Sequence, residues 1–201
     1  MHSTLLASLA TRDDDRALRI GEQVGAVVFI TVLTAVAAQI SLTLPFTPVP
    51  FTFQPMVVLI GACALGGRLG MTSQVLYLLL GLAGLPVFAA SPLLPQGVAR
   101  LIGPTGGYLL AYPLAALVTG ALAERGLDRR YLTALVAMAA GLVIIFAGGL
   151  SWLMIVLPPA QGFAGALRAG FTPFIVGDLI KLAVAAGVMP SLWWLTGPRN
   201  Q

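Results

Sequence analysis

Charge is what this chain has least of. Of its 201 residues only 9% are Asp, Glu, Lys or Arg, against about 25% in an ordinary soluble domain. Side chains that favour water are too few to cover a folded body of this size. With 58% hydrophobic residues and a mean hydropathy of +0.95, the chain reads as an integral membrane protein. Histidine and cysteine are almost absent. One histidine, His2, and one cysteine, Cys63, cannot assemble a zinc site, a haem attachment or a disulfide, so no metal and no cofactor are expected. A Ser-His-Asp or Cys-His nucleophile would need His2 to fold into the bilayer, so no catalytic residue is expected and the chain does not read as an enzyme. The formal net charge is +4, but the basic residues stand singly between apolar stretches, which argues against nucleic acid and for orientation in a membrane.

What is present is a succession of apolar runs punctuated by proline and glycine. Residues 1–23 are a polar tail in which Arg12, Arg16 and Arg19 alternate with Asp13, Asp14, Asp15 and Glu22. The spans that follow are Val24–Leu42, a short one within 51–66, Met71–Ala90, the run from Pro104 to Ala123, Tyr131–Leu157 and Pro173–Leu195. Ala35-Val36-Ala37 has the spacing of a signal-peptide cleavage site, but four acids upstream argue against one. Four prolines between Leu44 and Pro55 make that segment a structured loop. The span after it is only ~24 Å long at 16 residues, so a re-entrant hairpin is its alternative. Residues 91–103 and 160–172 read as loops. The expected fold is therefore all-α, a six-helix membrane domain over 24–195 between tails 1–23 and 196–201. With the N-terminus in the cytoplasm, eight arginines (12, 16, 19, 68, 125, 129, 130, 199) lie inside and two (100, 168) outside, which places both termini inside.

Two charges stand within the last run. Asp178 and Lys181, the only lysine of the chain, are three residues apart and share one helical face. An ionisable group at mid-membrane costs ~2.5–3.5 kcal/mol on insertion scales and is a functional candidate by default, the alternative being a pair that only locks helix packing. Counted from Pro173 they lie ~8 and ~12 Å below the outer end of the helix, where they could floor a pocket opening outward. Gln54, Tyr108 and nearby phenylalanines are its candidate walls, and the pocket suits a small solute with an amide-like group or an anion on an apolar body. On the first helix, Thr31, Ala35 and Ala38, with Thr34 and Ser41 alongside, form a small-residue stripe that another helix could approach, from this chain or from a partner. The sole lysine follows Ile180 and cannot belong to a Walker A loop, so ATP hydrolysis, if used, must come from another subunit.

Four segments, Thr47-Pro-Val-Pro-Phe-Thr-Phe-Gln54, Tyr77-Leu-Leu-Leu-Gly-Leu-Ala-Gly-Leu-Pro-Val-Phe88, Gly103-Pro-Thr-Gly-Gly-Tyr108 and Pro173-Phe-Ile-Val-Gly-Asp-Leu-Ile-Lys181, together resemble the BioY family of biotin-binding S components of energy-coupling factor (ECF) transporters. They follow the family's order, and the resemblance covers residues 24–195. It implies a six-helix subunit of the bacterial cytoplasmic membrane that captures biotin as transported substrate and works with an ECF coupling transmembrane protein and ATPase subunits. It further implies that Asp178 accepts from ureido N–H groups, that Lys181 donates to a biotin oxygen, that Gln54 and Tyr108 are further contacts, and that Thr31, Ala35 and Ala38 dock the coupling protein. A self-sufficient biotin carrier without ATPase partners is the alternative.

Overall fold

The computed structural model describes residues 4–9, 16–91, 95–159 and 162–196; His2, Arg12, Asp13, Asp14, Asp15, Pro92 and Arg199 lie outside the described residues, as do residues 197–201 of the expected C-terminal tail. The elements run α1 (Leu5–Leu9), α2 (Arg16–Gln39), a hairpin of β1 (Ser41–Leu42) and β2 (Phe51–Thr52), α3 (Gln54–Leu65), α4 (Gly67–Leu82), α5 (Val98–Ile102), α6 (Gly106–Ala123), α7 (Tyr131–Val156), α8 (Gly162–Gly170) and α9 (Ile175–Thr196). One 3-10 turn, Leu127–Arg129, joins α6 to α7. Four helices, α2, α6, α7 and α9, are long and apolar enough to cross a membrane. At 12 and 16 residues α3 and α4 are shorter, ~18 and ~24 Å; α3 is largely enclosed by its neighbours, while α4 keeps an exposed face through Val75, Leu79 and Leu82.

Small residues let the helices close on one another. Ala115 and Ala116 of α6 and Ala134 and Ala137 of α7 are fully buried, so backbones approach without large side chains between them. Between α3 and α4 the chain turns at Gly66, whose φ of +86° suits glycine alone, and a Cβ there would meet the Glu124 carboxylate. That carboxylate accepts from the Gly67 N–H at 2.9 Å, filling one of the donors that the start of α4 leaves open. The same end carries Trp193, whose indole N–H donates to Asp128 at 2.6 Å beneath the Arg129 guanidinium. At the opposite end the three long connections meet. Thr47 donates to the Ala169 carbonyl at 2.5 Å, Ser41 to Ala90 at 2.8 Å and Trp152 to Gly103 at 2.9 Å.

Several expectations are corrected. The residues 16–23 assigned to a solvated tail are the first turns of α2, and Leu5 of α1 is buried in the main core. The span expected over Met71–Ala90 begins four residues earlier and stops at Leu82. Gly84, with φ +90°, and Pro86 end the helix although the apolar run continues, because residues 87–90 are wall rather than span. Within residues 160–172, read as a loop, residues 162–170 form α8, which buries Ala166 against the bundle. The Pro-rich segment is non-helical as read, closed by the pairs Ser41 with Thr52 and Leu42 with Phe51.

Candidate functional site

The end where the connections meet holds a partly enclosed cavity with about 60 Å³ of free interior. Gln54, Tyr108, Asp178 and Lys181, from three separate stretches of sequence, all line it. α9 begins at Ile175, so Asp178 is in its first turn and Lys181 one turn deeper on the same face. Their side chains pair at 2.5 Å and are nearly buried. The Lys181 ammonium also donates to the Thr52 carbonyl of β2 at 2.7 Å and stands 3.6 Å from the centre of the Phe51 ring. A carboxylate, a carbonyl and a π-face thus surround the charge, which ties α9 to the hairpin. Phe51 can lie so close to α9 because residue 177 is glycine: a Cβ there would come within 2.6 Å of its ring. Phe51 in turn stacks on Phe174 at 6.2 Å.

Gln54 opens α3, with Pro55 at a position where a helix start favours proline. Its amide nitrogen donates to the Tyr77 hydroxyl at 2.6 Å, and its oxygen accepts from Thr52 at 3.3 Å. Tyr108, at the start of α6, is placed edge-on to Phe146, and its hydroxyl donates to the Gly170 carbonyl at 2.7 Å.

The cavity also contains a cation that sequence reasoning counted only as an outer-face arginine. Arg100 of α5 is 1% exposed, lines the cavity, and donates to the Pro95 and Ala89 carbonyls at 2.8 and 2.7 Å. Burial pulls its guanidinium below the ordinary value, but arginine remains protonated in proteins. The signal available was its expected place on the outer face, where an arginine runs against the positive-inside bias. Arg100 belongs to a wider device: each carbonyl from Pro86 to Ala90 accepts from a side chain, from Gln39, Tyr77, Gln39 again with Gln96, Arg100 and Ser41 in turn. An irregular segment outside any helix or strand is thereby fixed as one wall of the cavity, through Phe88 and Ala89.

The stripe on α2 turns the other way. Thr31 and Ala38 are 1% and 0% exposed, and Thr31 donates to the Ser73 carbonyl of α4 at 3.0 Å. The face read as a docking surface for a partner is filled by the chain's own α4, because its hydroxyls find carbonyls and side-chain partners there. Only Ala35 of the three reaches the boundary with the exposed face, beside Val32 and Val36.

The helical bundle has the fold of the solved S-component for biotin from an ECF-type ABC transporter, which superposes with a TM-score of 0.75 over 90% of this chain and 94% of that one at 23% identity. The fold is that of an S-component. The chain belongs to the BioY family, whose model matches residues 11–197. It is 42% identical to the biotin transporter BioY of Thermotoga maritima over 78% of this chain and 86% of that protein. It is also 35% identical to the biotin transporter BioY of Rhizobium etli over 79% of this chain and 85% of that protein.

Proposed function

We propose that this chain is the biotin-capturing S component of an energy-coupling factor transporter. The observation that carries the reading is the single cavity lined by Gln54, Tyr108, Arg100, Asp178 and Lys181 in a member of a family of biotin transporters. One acid and two cations give the lining a net charge of +1, which suits a solute with one carboxylate. Biotin fits each part of it. The carboxylate answers the excess cation, the ureido ring offers N–H donors to Asp178 and a carbonyl to Lys181, and the thiophane ring and alkyl chain meet Phe51, Tyr108 and Phe146. Buried polar groups that a ligand must satisfy discriminate strongly against solutes lacking its hydrogen-bonding pattern.

The chain is inserted in the bacterial cytoplasmic membrane among its lipids as six helices, α2, α3, α4, α6, α7 and α9, with both termini in the cytoplasm. Residues 24–195 form the membrane domain and 1–23 and 196–201 the cytoplasmic segments, with the first turns of α2 rising through the former. The cavity then opens outward. Biotin is substrate, and no cofactor is required. Since the chain lacks a Walker A lysine, accumulation depends on an ECF coupling transmembrane protein and ATPase subunits, and of the stripe on α2 Ala35 is the residue a partner helix can reach.

Reconstitution of the purified chain alone in liposomes tests this division of labour. The reading requires that external biotin be bound but not concentrated, whatever ion gradient is imposed. Uptake against its gradient by the chain alone would make it a self-sufficient carrier and overturn the coupled reading.

A further inference from the structure

We propose that Tyr77 is a positioning residue for biotin capture, acting through Gln54 rather than by forming part of the cavity lining itself; the inference rests on the biotin reading above. Tyr77 is a fully buried residue of α4 whose ring packs edge-on against Phe88 at 5.5 Å. Its hydroxyl lies between two groups, the Val87 carbonyl at 3.1 Å and the Gln54 carboxamide at 2.6 Å. A phenol has one proton to give. The Val87 carbonyl can only accept, so the proton goes there, and towards Gln54 the phenolic oxygen is left to accept. Gln54 must therefore turn its NH2 to Tyr77 and its Oε1 away, towards Thr52, whose hydroxyl is a donor to it.

The two faces of a carboxamide are nearly the same shape and opposite in hydrogen-bonding sense, so nothing in packing alone chooses between them. The chain Val87–Tyr77–Gln54–Thr52 makes the choice. Reversing the amide would oblige Tyr77 to donate to Gln54 and leave a buried carbonyl at Val87 without its proton, a costly state in a dry interior. Tyr77 thus couples the wall segment 86–90 to a cavity-lining side chain and hands the solute one fixed order of donor and acceptor. Phenylalanine at 77 would keep the ring against Phe88 and remove only that instruction.

The test is a double-mutant cycle on the full-length chain purified in detergent, with radiolabelled biotin titrated against the parent, Tyr77→Phe, Gln54→Leu and the double variant. Affinity is read on the folded fraction, which the number of sites per chain and the melting profile without biotin define for each protein. Each single change is expected to weaken binding about tenfold, and the double variant to be no weaker than Gln54→Leu. A purely structural role for Tyr77 would instead give losses that multiply, and that result overturns the proposal, as does unchanged affinity in either single variant. Failure of the folded parent to bind biotin overturns the substrate reading and the proposal with it, and is told apart from multiplying losses by the parent titration itself.

Discussion

Asp178 and Lys181 announce themselves in the sequence because each is a charge in an apolar run, where the cost of burial leaves few reasons for its presence. In the folded chain the two are satisfied by one another and by the Thr52 carbonyl, so removal of either leaves an uncompensated charge. Asp178→Asn and Lys181→Met are each expected to abolish biotin binding while the protein remains inserted. Some loss of stability accompanies this, since breaking a buried pair costs roughly 3–5 kcal/mol; melting in detergent separates it from loss of the site. Arg100 and Tyr77 were not legible in the same way. An arginine in a loop and a tyrosine in an apolar run are ordinary, and only the carbonyls folded around them give them meaning. Arg100→Met should lower biotin affinity at least tenfold and also lower the melting temperature, because the guanidinium both charges the cavity and holds the wall at Ala89 and Pro95. Arg100→Met that matched the parent in affinity would remove the excess cation from the account of carboxylate recognition.

Hydrophobic runs located α6, α7 and α9 within two residues, since a long membrane helix and a long apolar run are nearly the same object, whereas α2 starts eight residues before its apolar run, in the polar residues 16–23. They failed where apolar residues serve another purpose. Residues 87–90 are as apolar as a span, yet Gly84 and Pro86 break the backbone and the segment becomes cavity wall. α8 has the opposite history: residues 160–172 read as loop, and docking on the bundle supplies the order that its glycine-rich sequence does not. The small-residue stripe was legible as a site of close helix approach, but which helix approaches was not, because Thr31 and Ala38 carry no mark of whose carbonyls they will meet. Ala38→Leu is accordingly expected to destabilise the chain itself, by about 1–3 kcal/mol as overpacking between α2 and its neighbours, which thermal melting of the isolated chain will register. Ala35→Leu should leave melting and biotin binding close to the parent. Equal melting for both variants would contradict the inward orientation of the stripe.

Across the whole molecule the connections sort into two ends. The hairpin, residues 83–91 and 95–105 and α8 gather around the cavity, while Gly66, the 124–130 turn and Trp193 gather at the other. The charge pattern makes the same division, because Arg68, Arg125, Arg129 and Arg130 fall at the end away from the cavity. Reporter fusions at the two termini are therefore expected to report both in the cytoplasm; termini on opposite sides would favour five spans with residues 51–66 re-entrant. The polar lining itself was only half readable from sequence, because residues from α3, α5, α6 and α9 become one site only when the chain folds. Equilibrium binding of radiolabelled biotin to the purified, folded chain tests the central claim most directly: saturable binding of one biotin per chain, displaced by unlabelled biotin and absent in Asp178→Asn, is the predicted result, and no saturable binding by a chain shown to be folded would contradict it.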